Sequence, residues 1–151
     1  FFQKNPVANI KTDRFGGLAM GFSPSYIDLS QLKKHLIEAA GESTAYDAKS
    51  YRNSCRTSRL SEHCYVVARF IQKYYGGNLK RAKISGKTHY WNQLPDGKEV
   101  DLTSCQFPNG DGFHPLVKGT IAPNPKTENP RVRQFEERVL ASIAKSNPAE
   151  E

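Results

Sequence analysis

Three side chains in the middle of this chain could together do thiol chemistry: Cys64, His89 and Asp101. A thiol is a weak nucleophile until it loses its proton, and a nearby imidazole can take that proton or hold it in an ion pair. The imidazole in turn needs its second nitrogen fixed by an acceptor, a task a carboxylate does well. Cysteine, histidine and aspartate in that order supply nucleophile, base and orienting group. The chemistry they would perform is acyl transfer from an amide or related bond through a thioester on Cys64. If Cys64 starts a helix, its backbone N–H supplies one oxyanion donor. His63, Ser58 and Asn53 are near enough in sequence to be considered for the second.

The elements that must position these groups can be read from the hydrophobic pattern. In residues 61–77 the apolar positions Val66, Val67, Phe70, Ile71 and Tyr74 make a core-facing helical stripe, closed by Gly76-Gly77. With Ser61 as cap, Cys64 falls in the first turn, where unpaired N–H groups and the positive end of the helix dipole favour a thiolate. A small buried hydrophobe is the competing role for a lone cysteine, and position alone does not decide between them. Strands are expected over 78–84 and 88–94, joined by Ser85-Gly86-Lys87, and a third over 98–103 after Pro95-Asp96-Gly97. A three-residue loop with Gly97 in the left-handed position sets Leu94 opposite Lys98, Trp91 opposite Asp101 and His89 opposite Thr103. His89 and Asp101 are then diagonal neighbours on one face, about 7 Å apart along the backbone. A two-residue loop would put Asp101 on the other face.

Around this unit the spacing of Leu29, Leu32, Leu36, Ile37 and Ala40 predicts an amphipathic helix, with Asp28 or Ser30 as cap and Gly41 as stop. Residues 42–60 read as a polar loop with a short helical turn near Tyr46 to Tyr51, and 108–130, rich in Gly and Pro, as a surface excursion. A last helix begins at Pro130, with Val132, Phe135, Val139, Leu140 and Ile143 for packing on the sheet or on the Cys64 helix. The fold class expected is α+β, as one domain over residues 27–146 preceded by an irregular arm, 1–26, and followed by a frayed tail, 147–151.

The totals agree with a single core. At 151 residues a chain buries roughly two-thirds of its unfolded surface and needs no disulfide staples. No apolar run is long enough to span a bilayer. The three cysteines, Cys55, Cys64 and Cys105, are an odd count without CxxC spacing, which favours a reducing compartment and leaves at least one thiol free. The opening FFQKNPV has neither an initiator methionine nor a signal pattern, so the chain reads as a piece or processed product of something longer. The location expected is the cytoplasm, or a target cell entered as part of a larger secreted protein. The net charge of +7 lies wholly in the first 107 residues. Without a base-stacking aromatic stripe or an arginine-rich block it reads as a solvated basic face, and nucleic acid is not the expected partner.

Other candidates carry less. His63 beside Cys64 invites a metal site with Cys55, His89 or Cys105, but the paired short spacings of zinc sites are missing, so no metal and no cofactor is expected. Trp91, on the predicted face of His89, and His63 are the candidates for lining a substrate cleft, and a core tryptophan is an equal alternative for Trp91. His35 and His114 read as surface or packing residues. Cys105 reads as a buried thiol, with a second reactive thiol as the other choice.

The run CYVVARFIQKYYGGNLKRAKISGKTHYWNQLPDGKEVDLTSCQF resembles the YunG-type family of small bacterial proteins, which carry a cysteine-led helix ending in GG and then a HYWN-LPDG-EVDLT-QF hairpin. The resemblance extends over residues 29–143, taking in the upstream STAYD segment and the RVRQFEERV helix. It implies a papain-like fold, the cysteine-hydrolase architecture shared with NlpC/P60 peptidases and transglutaminases. In it the cysteine starts a helix packed on a small antiparallel sheet whose strands bear the histidine and the acid. Cys64, His89 and Asp101 are the positions that match, while Cys105 stands where a polar or charged residue is expected. The activity implied is that of a peptidase, amidase or protein deamidase on a peptide, protein or peptidoglycan-like substrate, or of a transglutaminase-like acyltransferase. The opening without an initiator methionine and the basic surface also suit a toxin or effector module cut from a larger secreted chain, with an inhibitory or immunity protein as its partner. A non-catalytic basic binding module on the same fold is the alternative from a different class.

Overall fold

The longer helices form where apolar residues recur at three- and four-residue steps, and all but one of the described helices start under a polar side chain that accepts from the first turn. The computed structural model describes residues 24–84, 86–104 and 118–146. Helix α1 is Leu29–Ala39, with the Asp28 carboxylate accepting from the Gln31 N–H as its cap. Helix α2, Ala48–Ser54, is capped in the same way by Asp47 through Ser50. It extends the expected turn by a few residues. Helix α3 is Cys64–Tyr75 and helix α4 is Pro130–Ser146. The core lies where α1, α3 and α4 meet, around Leu32, Leu36, Val66, Phe70, Ile71, Phe135, Val139 and Ile143. Lys73 and Tyr74 of α3 both bond to the Glu136 carboxylate of α4, so α4 packs on α3 and α1 rather than on the sheet.

The sheet has four antiparallel strands, β1 (Asn78–Ile84), β2 (Lys87–Gln93), β3 (Glu99–Val100) and β4 (Thr120–Ile121), in the order β3-β2-β1-β4. Ile84 pairs with Lys87, so the first connection is two residues long, one shorter than expected. Gly86 there has φ 82°. The second hairpin has the predicted register: Asn92 pairs with Val100, Gln93 with Glu99, and the Leu94 N–H donates to the Lys98 carbonyl. Gly97, at φ 91°, occupies the left-handed position of the loop. Strand β3 is shorter than the 98–103 expected, because the chain turns at Asp101. Strand β4 was expected to be loop. It pairs Lys80 with Ile121 and Arg81 with Thr120 along the free edge of β1.

The Gly76-Gly77 pair sets how α3 meets the sheet. Gly76 caps the helix at φ 85°, and at Gly77, φ 90°, a Cβ would lie 2.1 Å from the Gln93 carbonyl oxygen. Backbone therefore closes on backbone where α3 ends and β2 ends. Walking back from that closure, Cys64 is about 18 Å away along the helix and His89 about 13 Å away along β2. Both reach the same end of the layer. Between them Asn92 donates to the Ala68 carbonyl at 2.9 Å, and the Tyr65 and Tyr90 rings meet edge to face.

Residues 24–26 form a 3-10 turn held to α3, since the Tyr75 hydroxyl lies within hydrogen-bond distance of the Pro24 and Ile27 carbonyls. The last residues of the expected arm thus belong to the packed domain. The rest of the arm, the tail, Cys105 and His114 lie outside the described residues. No helix among the described residues is long and apolar enough to cross a membrane.

Candidate active site

Cys64 is the first residue of α3, and its thiol is free and half-buried. The cap is His63, not Ser61, and the His63 side chain makes no bond to the first-turn N–H groups. Unlike α1 and α2, this helix starts without a side-chain acceptor over its first turn. Backbone donors and the positive helix end are thereby left for an anion forming at the sulfur. Immediately before it, Glu62 has φ 64°, the one positive φ among the described non-glycine residues.

His89 sits on β2 and Asp101 just past β3, as the hairpin register requires. Their contact is short: His89 Nε2 to Asp101 Oδ2 is 2.6 Å, with side chains 4% and 3% exposed. The other carboxylate oxygen accepts from the Thr103 N–H at 3.0 Å and the Thr103 hydroxyl at 3.1 Å, so the turn that ends β3 also locks the acid. Nε2 is committed to Asp101, and Cys64 lies near enough to the ring to favour its charged form. Burial works against a charge on this ring. The hydrogen bond to Asp101 and the electrostatic influence of Cys64 outweigh it and raise the imidazole from 6.5 to about 9. His89 is therefore a charged ring at neutral pH, held between a carboxylate and a thiol.

Trp91, 1% exposed, stacks on the His89 ring with centroids 5.8 Å apart and planes 23° from parallel. Its Nε1–H donates to Glu99 at 2.7 Å, and Glu99 in turn pairs with Lys80 at 3.2 Å. Trp91 backs the imidazole rather than opening onto solvent. Glu99 went unnoticed in the sequence, although the same register that aligned His89 with Asp101 puts Glu99 diagonal to Trp91. His63 is corrected more fully. It is 0% exposed, with Nδ1 donating to the Ser61 carbonyl and Nε2 facing the Thr44 hydroxyl, each at 2.8 Å. A ring so enclosed lines no cleft, and with both nitrogens engaged it is no oxyanion donor. Of the other two candidates, Asn53 is exposed on α2 and Ser58 is buried. Among the described residues no group of three or more His, Cys, Asp or Glu is arranged to hold a metal ion.

A family model described as YunG protein matches residues 28–144, a span that takes in α1, α2, α3, the sheet, the three side chains of the site and all but the last two residues of α4. No curated protein and no solved structure matches the chain. This chain belongs to the YunG protein family.

Proposed function

We propose that this chain is a thiol-dependent acyl-transfer enzyme of papain-like architecture, acting as an amidase, peptidase or protein deamidase. Cys64 is the nucleophile, His89 its acid and base, and Asp101 the group that orients His89. The observation that carries the reading is the buried imidazole: it bonds Asp101 at 2.6 Å, Cys64 is near enough to favour its charged form, and the proton is held to about pH 9. The papain-like assignment rests on the order of parts, a cysteine heading a helix and then a histidine and an acid on successive strands of a hairpin.

In the proposed cycle the reactive form is a pair in which the thiol proton already sits on His89 as imidazolium, and the Cys64 thiolate attacks the carbonyl carbon of the substrate, forming a C–S bond while the carbonyl π pair moves to oxygen. The Cys64 backbone N–H, at the uncapped start of α3, donates to that oxyanion. As the tetrahedral species collapses, His89 gives its proton to the departing amine and the C–N bond breaks, leaving a thioester. A water molecule, deprotonated by the now neutral His89, attacks the thioester. The acid leaves, and sulfur and imidazolium return to their starting state. An amine in place of water would give transamidation by the same steps. Asp101 keeps its negative charge throughout and stabilises the imidazolium.

The test is mass analysis of peptides, proteins and peptidoglycan fragments after incubation with wild type and Cys64→Ser. New fragments would identify a hydrolase of peptide or amide links, and the small mass gain of amide-to-acid conversion would identify a deamidase. Either change must disappear with Cys64→Ser. Products formed equally by the two proteins would refute the assignment.

A further inference from the structure

The residue next to the nucleophile is a fully buried histidine, and its bonds run away from the site. Glu62 holds a left-handed backbone that costs an L-residue about 1–2 kcal/mol, and something must keep it there. One clamp is the Tyr46 N–H, which donates to the Glu62 carbonyl at 2.8 Å. The other is His63. The Ser61 carbonyl can only accept, so the ring is protonated at Nδ1, and Nε2 is free to accept from Thr44. Thr44 is itself fixed: its hydroxyl accepts from the Gly41 N–H at 3.2 Å, and its carbonyl accepts from Arg131 of α4 at 3.3 Å. Tyr51 of α2 and Phe135 of α4 pack on the ring, with centroids at 5.1 and 5.7 Å. Four separate parts of the chain thus converge on the residue that caps the nucleophile helix.

We propose that His63 is a positioning residue, one that touches neither substrate nor His89 but holds the Ser61–Cys64 backbone so that the Cys64 sulfur meets the His89 ring. This rests on the reading of Cys64 as the nucleophile. Burial, aided by the charges of Arg131 and Arg138 and opposed by the bonds to Ser61 and Gly41, pushes the His63 pKa down to about 4. The ring is therefore neutral at ordinary pH and keeps one donor and one acceptor in place. A displacement of the sulfur by a fraction of an ångström at a reacting centre is enough to cost an order of magnitude or more in rate.

The test compares wild type, Thr44→Val, His63→Phe, His63→Gln and His89→Ala, following alkylation of Cys64 by iodoacetamide from pH 5.5 to 9 with Cys55 as internal reference. Thr44→Val leaves the ring in place and removes the Nε2 partner together with the hydroxyl's local bonds to Gly41, so it decides the matter even if His63→Phe fails to fold. The expected result is a loss of about tenfold in Cys64 reactivity at pH 6.5 in Thr44→Val and His63→Phe, with the pH profile moving toward that of Cys55. Partial recovery is expected in His63→Gln, whose amide can both donate and accept. Folded Thr44→Val and His63→Phe proteins that keep the wild-type rate and profile, beside a slow His89→Ala, would overturn the positioning role while leaving the nucleophile intact. A wild-type Cys64 no faster than that of His89→Ala would overturn both.

Discussion

Replacing Asp101 by asparagine changes one atom of the site and should disable it. The Asp101 carboxylate serves two masters, with Oδ1 on the Thr103 N–H and hydroxyl and Oδ2 on His89 Nε2. In Asp101→Asn the carbonyl oxygen stays with Thr103, which can only be served by an acceptor, and the amide nitrogen faces the imidazole. Two N–H donors cannot share that contact, so the ring must turn a bare Nε2 to the amide and carry its proton on Nδ1, toward the sulfur. It can then no longer accept the thiol proton there. The larger of the two supports that raise His89 to about 9 is also removed, and burial pulls the ring down toward its ordinary value of 6.5. At pH 7.5 the protonated fraction falls from about 97% to about 9%, roughly tenfold less of the charge that would hold a thiolate. The assay is iodoacetamide alkylation of Cys64 at pH 7.5, scaled to Cys55, beside NMR titration of the His89 ring. A fall of tenfold or more and a transition at or below 6.5 are expected. An unchanged rate with His89 still titrating near 9 would refute the reasoning.

Three further outcomes follow from the same geometry. Because the folded state raises His89 from 6.5 to about 9, its contribution to stability is complete below pH 6.5 and is lost as pH rises through 9. Urea unfolding should show about 3 kcal/mol of alkaline loss across that window, absent in His89→Ala. His63 behaves oppositely, since its value drops to about 4 in the fold and the unfolded chain binds the extra proton. Stability should fall by about 3 kcal/mol as pH drops from 6.5 through 4, and a His63→Phe protein that folds should lack that acid slope. Gly77→Ala, where a Cβ would meet the Gln93 carbonyl at 2.1 Å and φ is 90°, should lose more than about 2 kcal/mol. Gly86→Ala, with φ 82° and nothing within 4 Å, should lose only about 1 kcal/mol. Equal losses at the two glycines would contradict the closure of α3 on β2.

Much of this arrangement is legible in the sequence, for identifiable reasons. Pro95-Asp96-Gly97 admits few loop geometries, and once the loop is known the pleat decides which residues share a face. His89 and Asp101 could therefore be paired from sequence, and by the same rule Trp91 and Glu99 could have been. The stripes of α1, α3 and α4 were plain because each buries one face against the other two. Strand β4 was not legible. Two exposed residues, Thr120 and Ile121, have no alternation to read, and only the free edge of β1 makes them a strand. The length of β3 depended on Asp101 turning to bond Thr103, a local side-chain bond that competes with the ladder. His63 was misplaced because adjacency to Cys64 suggested a role in the cleft. Its partners, Thr44 and the Ser61 carbonyl, come from a turn 19 residues away and from its own backbone, and neither leaves a periodic trace.

The claim on which the functional account turns is that the His89 ring activates the Cys64 sulfur. Its most direct test is the rate of Cys64 alkylation by iodoacetamide between pH 5.5 and 9 in wild type and in His89→Ala, resolved by peptide mass spectrometry against Cys55. The account predicts a wild-type Cys64 that outpaces Cys55 well below pH 8, and a His89→Ala protein in which that advantage vanishes and both thiols follow one profile. Two cysteines that react alike in wild type, with no effect of removing the imidazole, would contradict it.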